Sequence, residues 1–128
     1  VIPTAYEDII LVVEDDPDLR ENLCEVLELE GFRAVGVTNG LEALEYLRTH
    51  APPCLILLDV MMPRMSGSEF RAQQRVDERF SGVPVIAVSA MELDHQHEQI
   101  PDAAGYFIKP VNPLKLSQAI RLCCHTEA

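Results

Sequence analysis

An apolar run over residues 55–58 drives straight into a carboxylate, Asp59, with Pro63 and Gly67 marking a turn behind it. A buried strand that ends on an ionisable group places that group on the rim of a sheet, where a ligand can reach it. Two further segments end in the same way. Residues 9–13 stop at Glu14-Asp15-Asp16, and residues 106–108 stop at Lys109-Pro110. Two carboxylates ~5 Å apart repel by roughly 3 kcal/mol at an effective dielectric of ~20. Several on one rim either shift their pKa values or recruit a cation. Mg²⁺ suits such a rim, because it takes hard oxygen ligands, keeps waters and couples to phosphates. Glu14 and Asp15 from the first strand and Asp59 from the third are the candidate ligands. No His or Cys is placed to join them, which argues against zinc.

A carboxylate can also act as a nucleophile and form an aspartyl phosphate. Phosphoryl transfer asks a protein mainly for positioning and charge neutralisation. In that reading the metal neutralises one side of the incoming phosphoryl group and Lys109 the other. Ser89, at the end of an apolar run over residues 84–88, offers a hydroxyl, and Ala90 beside it leaves room for a tetrahedral group.

The elements that must position these groups alternate along the chain. Strands are expected over residues 9–13, 33–37, 54–58, 84–88 and 105–108. Asp16 followed by Pro17 reads as a helix N-terminus. Leu19, Leu23, Val26 and Leu27 then recur at helical spacing, and Gly31 supplies the stop. Asn39 with Glu42 looks like a capping box, ahead of a helix whose apolar side is Leu41, Ala43, Leu44 and Leu47. Ser66 with Glu69 is a second box, opening a polar helix to about residue 78. A short helix is expected near residues 92–99, ending before Pro101. Asn112-Pro113 opens the last, with Leu114, Leu116, Ala119, Ile120 and Leu122. Five βα units with near-continuous apolar strands imply an α/β domain, a parallel sheet covered on both faces. Residues 1–8 read as a tail or linker, 9–124 as one domain and 125–128 as a second tail.

Composition narrows the function. The 128 residues carry a formal charge of -11, which argues against a nucleic-acid surface. No apolar stretch approaches the ~18 residues needed to span a bilayer, and no signal peptide is visible. Cys24, Cys54, Cys123 and Cys124 show neither CxxC spacing nor a disulfide framework, so they read as reduced thiols in a cytoplasmic domain. The start at Val1 suggests a piece of a longer protein.

Four motifs, in this order and spacing, resemble the receiver domains of two-component response regulators over nearly all of residues 9–122. They are Val-Val-Glu-Asp-Asp-Pro-Asp, Leu-Leu-Asp-Val-Met-Met-Pro-Arg-Met-Ser-Gly, Val-Ser-Ala and Gly-Tyr-Phe-Ile-Lys-Pro. The resemblance implies a flavodoxin-like (βα)5 fold with strand order 2-1-3-4-5. It implies that Asp59 is the phosphoacceptor, Asp15 a direct metal ligand and Glu14 the acid that holds metal-bound water. Asp16 is a lesser neighbour. Met61 gives its backbone carbonyl to the metal, Ser89 and Lys109 bind phosphoryl oxygens, and Lys109-Pro110 is a cis peptide. Tyr106 becomes the switch aromatic, turning inward as Ser89 is drawn to the phosphoryl group. The donor is a phosphohistidine on a histidine kinase or phosphotransfer protein, although small acyl phosphates often serve. The domain catalyses only its own phosphorylation and dephosphorylation. The region between Ala90 and Lys109 is slightly short, so a dimer through it stays an open question, as do effector and stimulus.

Plainer readings stand beside these. Asp59 alone could cap a turn, and Glu14-Asp15-Asp16 alone could be a solvated helix start. Their register with Lys109 reverses those odds. His95 and His97 do not share a helix face and read as solvated. Met61 and Met91, each two residues past Asp59 and Ser89, most often mean packing. They could also flank the path of an attacking water and slow hydrolysis of the aspartyl phosphate. Rival functions are a Mg²⁺-dependent phosphatase with an aspartate nucleophile, a flavodoxin-like or dinucleotide-binding module, and a receiver-like domain that only binds partners. The first lacks its second acid, since Met61 stands there. The second lacks a Gly- or Ser/Thr-rich first loop.

Overall fold

The computed structural model describes residues 7–62, 64–90, 100 and 102–124. Five parallel strands form one sheet: β1 (Glu7–Val13), β2 (Arg33–Val37), β3 (Pro53–Asp59), β4 (Val85–Ser89) and β5 (Gly105–Ile108). Their order is β2-β1-β3-β4-β5, as the resemblance implies. The described helices are α1 (Pro17–Leu29), α2 (Gly40–Thr49), α3 (Gly67–Arg75) and α4 (Pro113–Cys123).

The central strands are apolar throughout because both faces of the sheet are covered. Every residue of β3 is buried. Successive side chains point to opposite faces, so Ile56 and Leu58 join Leu11, Val13 and Ala87 under α2 and α3. Leu55 and Leu57 join Ile10, Val12, Ile86 and Val88 under α1 and α4. Burying a residue of this size is worth about 1.5–3 kcal/mol, so two facing cores fix the register of β3 and with it the position of Asp59.

Local chemistry sets the helix ends. The Asp16 side chain accepts from the amides of Asp18 and Leu19, with Pro17 opening the helix. Gly31, at φ +98°, supplies the left-handed residue after α1. Ser66 and Glu69 form the expected capping box. Asn39 caps α2 by accepting from Glu42 N at 2.9 Å, but the Glu42 carboxylate accepts from Thr38 N at 2.8 Å, one residue earlier than a capping box requires.

Several expectations need correction. β1 begins at Glu7, pairing it with Pro53. The polar helix ends at Arg75, not near 78, because residues 77–83 fold into turns beneath it. Leu41, Leu114 and Leu122 are exposed; Leu122 retains 82% of its accessible surface. The buried face of α4 is Leu116, Ser117 and Ile120 instead. Cys54 and Cys124 are joined by a disulfide, so they are not reduced thiols here; Cys24 and Cys123 are free. The parallel topology brings the start of β3 beside the end of α4, a proximity that cysteine spacing does not encode. The expected helix at 92–99, with Met91, His95 and His97, lies outside the described residues.

Candidate functional site

The carboxyl ends of β1, β3 and β4 and the residue after β5 meet at one rim. Glu14 follows β1 and donates its amide to Val37 O at 3.1 Å, extending the sheet by one rung. Only 2% of Glu14 is exposed. Its Oε2 accepts from Asp16 N at 3.2 Å and its carbonyl from Arg20 Nη1 at 2.9 Å. Asp59 ends β3 level with Val88 of β4 and is 4% exposed. Its Oδ1 accepts from Met61 N at 3.1 Å. Gly67 N donates to Val60 O at 3.0 Å, and a Cβ on Gly67 would stand 3.1 Å from Val60 Cα. A side chain at Gly67 would therefore press on the Val60 backbone, which must give by a few tenths of an ångström to admit it.

Lys109 spans the two acids. Its Nζ lies 3.1 Å from Glu14 Oε1 and 3.4 Å from Asp59 Oδ2. Its amide donates to Ser89 O at 2.8 Å, which ties the end of β5 to the end of β4. Ser89 is 5% exposed and pairs with Ile108. The Lys109-Pro110 peptide is cis. Asp15 lies on the exposed side of the rim, and oxygens of Glu14, Asp15 and Asp59 come within 4.8 Å of one another.

The electrostatics are unbalanced. Burial and the neighbouring Glu14 carboxylate push the Asp59 pKa up to about 7, although Lys109 and the Met61 amide oppose them. Burial would lower the Lys109 pKa, but Asp59 and Glu14 together hold it above the ordinary lysine value. Glu14 and Asp59 thus share one ammonium, with the Asp15 carboxyl close by. The donor set is all hard oxygen, clustered tightly enough for a small divalent ion and without His or Cys, which fits Mg²⁺.

The expected site residues Glu14, Asp15, Asp59, Ser89 and Lys109 come together. Met61 contributes its amide to Asp59, while its side chain is exposed. Tyr106 stands apart from the acids. Its hydroxyl accepts from Ile100 N at 2.8 Å and donates to Ile100 O at 2.9 Å, while the residue is 39% exposed. Sequence reasoning missed this clasp, and also the Arg20 guanidinium behind Glu14. Arg20 is one turn into α1, where a charged residue reads as surface.

Known proteins resemble this chain in sequence and fold. The family model for the response regulator receiver domain matches residues 10–121. The polar-differentiation response regulator DivK of Brucella anthropi is 31% identical over 114 residues, covering 88% of this chain and 92% of DivK. The chemotaxis response regulator CheY4 of Vibrio cholerae superposes with a TM-score of 0.78 at 26% identity, covering 88% of this chain and 97% of that one. A response regulator receiver protein from Pseudomonas putida gives a TM-score of 0.79 at 28% identity, covering 93% and 99%. No helix among the described residues is long and apolar enough to cross a membrane. The chain belongs to the receiver domain family of two-component response regulators.

Proposed function

We propose that this domain accepts a phosphoryl group on Asp59 from a phosphohistidine of a histidine kinase or phosphotransfer protein. The observation that carries the reading is the Lys109 ammonium placed between Glu14 and Asp59, at 3.1 and 3.4 Å. A half-buried cation shared by two buried acids at the ends of different strands has a donor left to offer a third oxyanion.

In this reading an Asp59 carboxylate oxygen attacks phosphorus, the P–N bond of the donor breaks, and the imidazole leaves with the bonding pair. Met61 N fixes the Asp59 carboxyl through Oδ1. Lys109 moves one donor to a phosphoryl oxygen, and Ser89 offers its hydroxyl to another. Glu14, Asp15, Asp59 and the Met61 carbonyl would hold Mg²⁺, which when bound neutralises charge on the carboxylates and the phosphoryl oxygens. The ion pairs of Lys109 then weaken as the new anion arrives.

The conformational consequence runs through β4 and β5. Lys109 N is bonded to Ser89 O, so a shift of Ser89 toward the phosphoryl group pulls on the end of β5. Inward rotation of Tyr106 requires its two bonds with Ile100 to break. That clasp favours the unphosphorylated state, and the added charge, about one to two units, works against it. Met61 stands at the pocket mouth, its exposed side chain suited to slow attack by water on the aspartyl phosphate.

The test is incubation with Mg²⁺ and a small acyl phosphate, read by intact mass. The wild type gains one phosphoryl group and Asp59→Asn gains none. Equal labelling of both would place the acceptor elsewhere; no labelling of either would remove the phosphoacceptor reading.

A further inference from the structure

The disulfide lies far from the acid rim. It joins Cys54, near the start of β3, to Cys124, the C-cap of α4, across 70 positions of sequence. Cys54 and Asp59 are five residues apart on one strand, about 17 Å at ~3.3 Å per residue. Both half-cystines are buried in the apolar cluster that includes Leu27, Phe32, Leu55 and Ile120. Cys123 and Cys24 remain thiols packed against the same cluster.

We propose that the Cys54–Cys124 pair is a reversible thiol–disulfide site, exchanging with small glutathione-type thiols and controlling how firmly the last turn of α4 is held to the sheet. The proposal does not depend on the phosphoacceptor reading. In the reductive direction a thiolate attacks one Sγ, the Sγ–Sγ bond breaks, and the departing cysteine sulfur takes a proton. A second small thiol attacks the small-molecule sulfur of the mixed disulfide and releases the other cysteine. Two electrons pass from two small thiols to the cysteine pair, giving a protein dithiol and one small disulfide. The oxidative direction is the reverse, with the small disulfide as oxidant.

The surroundings support a site that opens locally and keeps one connectivity. Further up α4, Ser117 Oγ donates to Glu30 Oε1 at 3.1 Å, and Arg121 Nη2 donates to Glu30 O at 2.8 Å, tying the helix to the end of α1. Leu116 and Ile120 are fully buried. The body of α4 is thus anchored without the disulfide, while beyond Arg121 the backbone bond from Cys124 N to Ile120 O, at 2.7 Å, remains. Fraying of that last turn gives a small thiol access to sulfurs that are otherwise buried. Burial raises the pKa of both Cys24 and Cys123, which keeps them protonated and slow to reshuffle the bond.

The test uses the intact chain equilibrated in glutathione mixtures from reducing to oxidising, acid-quenched, alkylated and analysed by mass and peptide mapping. The expected result is one cooperative step between two and four alkylated cysteines, with the change mapped to Cys54 and Cys124. Closing so long a loop constrains the unfolded chain strongly, so reduction should lower Tm by about 10 °C. Cys123→Ala should keep that redox response, and Cys124→Ala should abolish it. Four alkylated cysteines at every ratio, a bond mapped to Cys24 or Cys123, or a wild-type Tm indifferent to reduction would each overturn the proposal.

Discussion

Two buried polar clusters in this domain are built on opposite plans. Beside α3, Gln74 is fully buried and matched on every side. Its Nε2 donates to Phe80 O at 2.9 Å and Val83 O at 3.0 Å, and its Oε1 accepts from Arg71 Nη1 at 2.7 Å. Arg71 Nη2 reaches on to Asp102 O at 3.2 Å, the carbonyl of a residue with φ +57°. At the sheet rim, Glu14 and Asp59 are almost as buried, yet they share one ammonium and stand beside a third carboxyl, Asp15. The first cluster satisfies its groups with partners from within the chain and fixes a loop. The second leaves an excess of negative charge that a cation can balance. Buried polar groups that a fold does not fully balance mark the place where an external group belongs.

Substitution should separate the two plans by sign. Gln74→Ala removes the hydrogen bonds to Phe80 O, Val83 O and Arg71 Nη1 and leaves a cavity, so it should cost about 3 kcal/mol in urea unfolding. Phosphorylation of the molecules that remain folded should persist. A cost below about 1 kcal/mol would show that water replaces the amide and that the cluster is not structural.

Asp59→Asn should act the other way on metal-free protein, raising stability by about 1–2 kcal/mol near pH 8. A carboxyl whose folded pKa is raised from 3.8 to about 7 holds its proton more tightly in the native state. Its contribution to stability is fully present below about pH 4 and is lost as pH rises through about 7. The wild type should therefore lose stability relative to Asp59→Asn between about pH 4 and 7, and saturating Mg²⁺ should close that gap. A difference independent of both pH and Mg²⁺ would remove the electrostatic explanation. The smallest effect belongs to the clasp. Tyr106→Phe deletes both hydrogen bonds to Ile100 and should cost about 1 kcal/mol while leaving acyl-phosphate labelling of Asp59 intact, as urea unfolding and intact mass will show.

The rim was legible in sequence because its cause is local to each strand end. An apolar run stopping at Asp59, another at Glu14 and a third at Lys109 already imply a shared edge once the strands are parallel. The second plan was not legible. Gln74 sits in a helix of low apolar content, and only the loop carbonyls beneath it reveal that it points inward. The same limit explains Leu41, Leu114 and Leu122, whose apolar type suggested a buried face that packing assigned to their neighbours. The Cys54–Cys124 bond depends on topology between residues 70 apart. The Glu42 carboxylate accepts from Thr38 N, one residue before the cap, a choice that the Asn39–Glu42 spacing does not encode.

Glu14 holds the Asp59 carboxyl in electrostatic tension, and a bound cation should relieve it. The most direct measurement is its titration, followed by the carboxyl ¹³C resonance with and without saturating Mg²⁺. Without metal the midpoint should lie near 7, and with Mg²⁺ it should fall by more than about one unit. A midpoint near 4 that Mg²⁺ leaves in place would contradict the account.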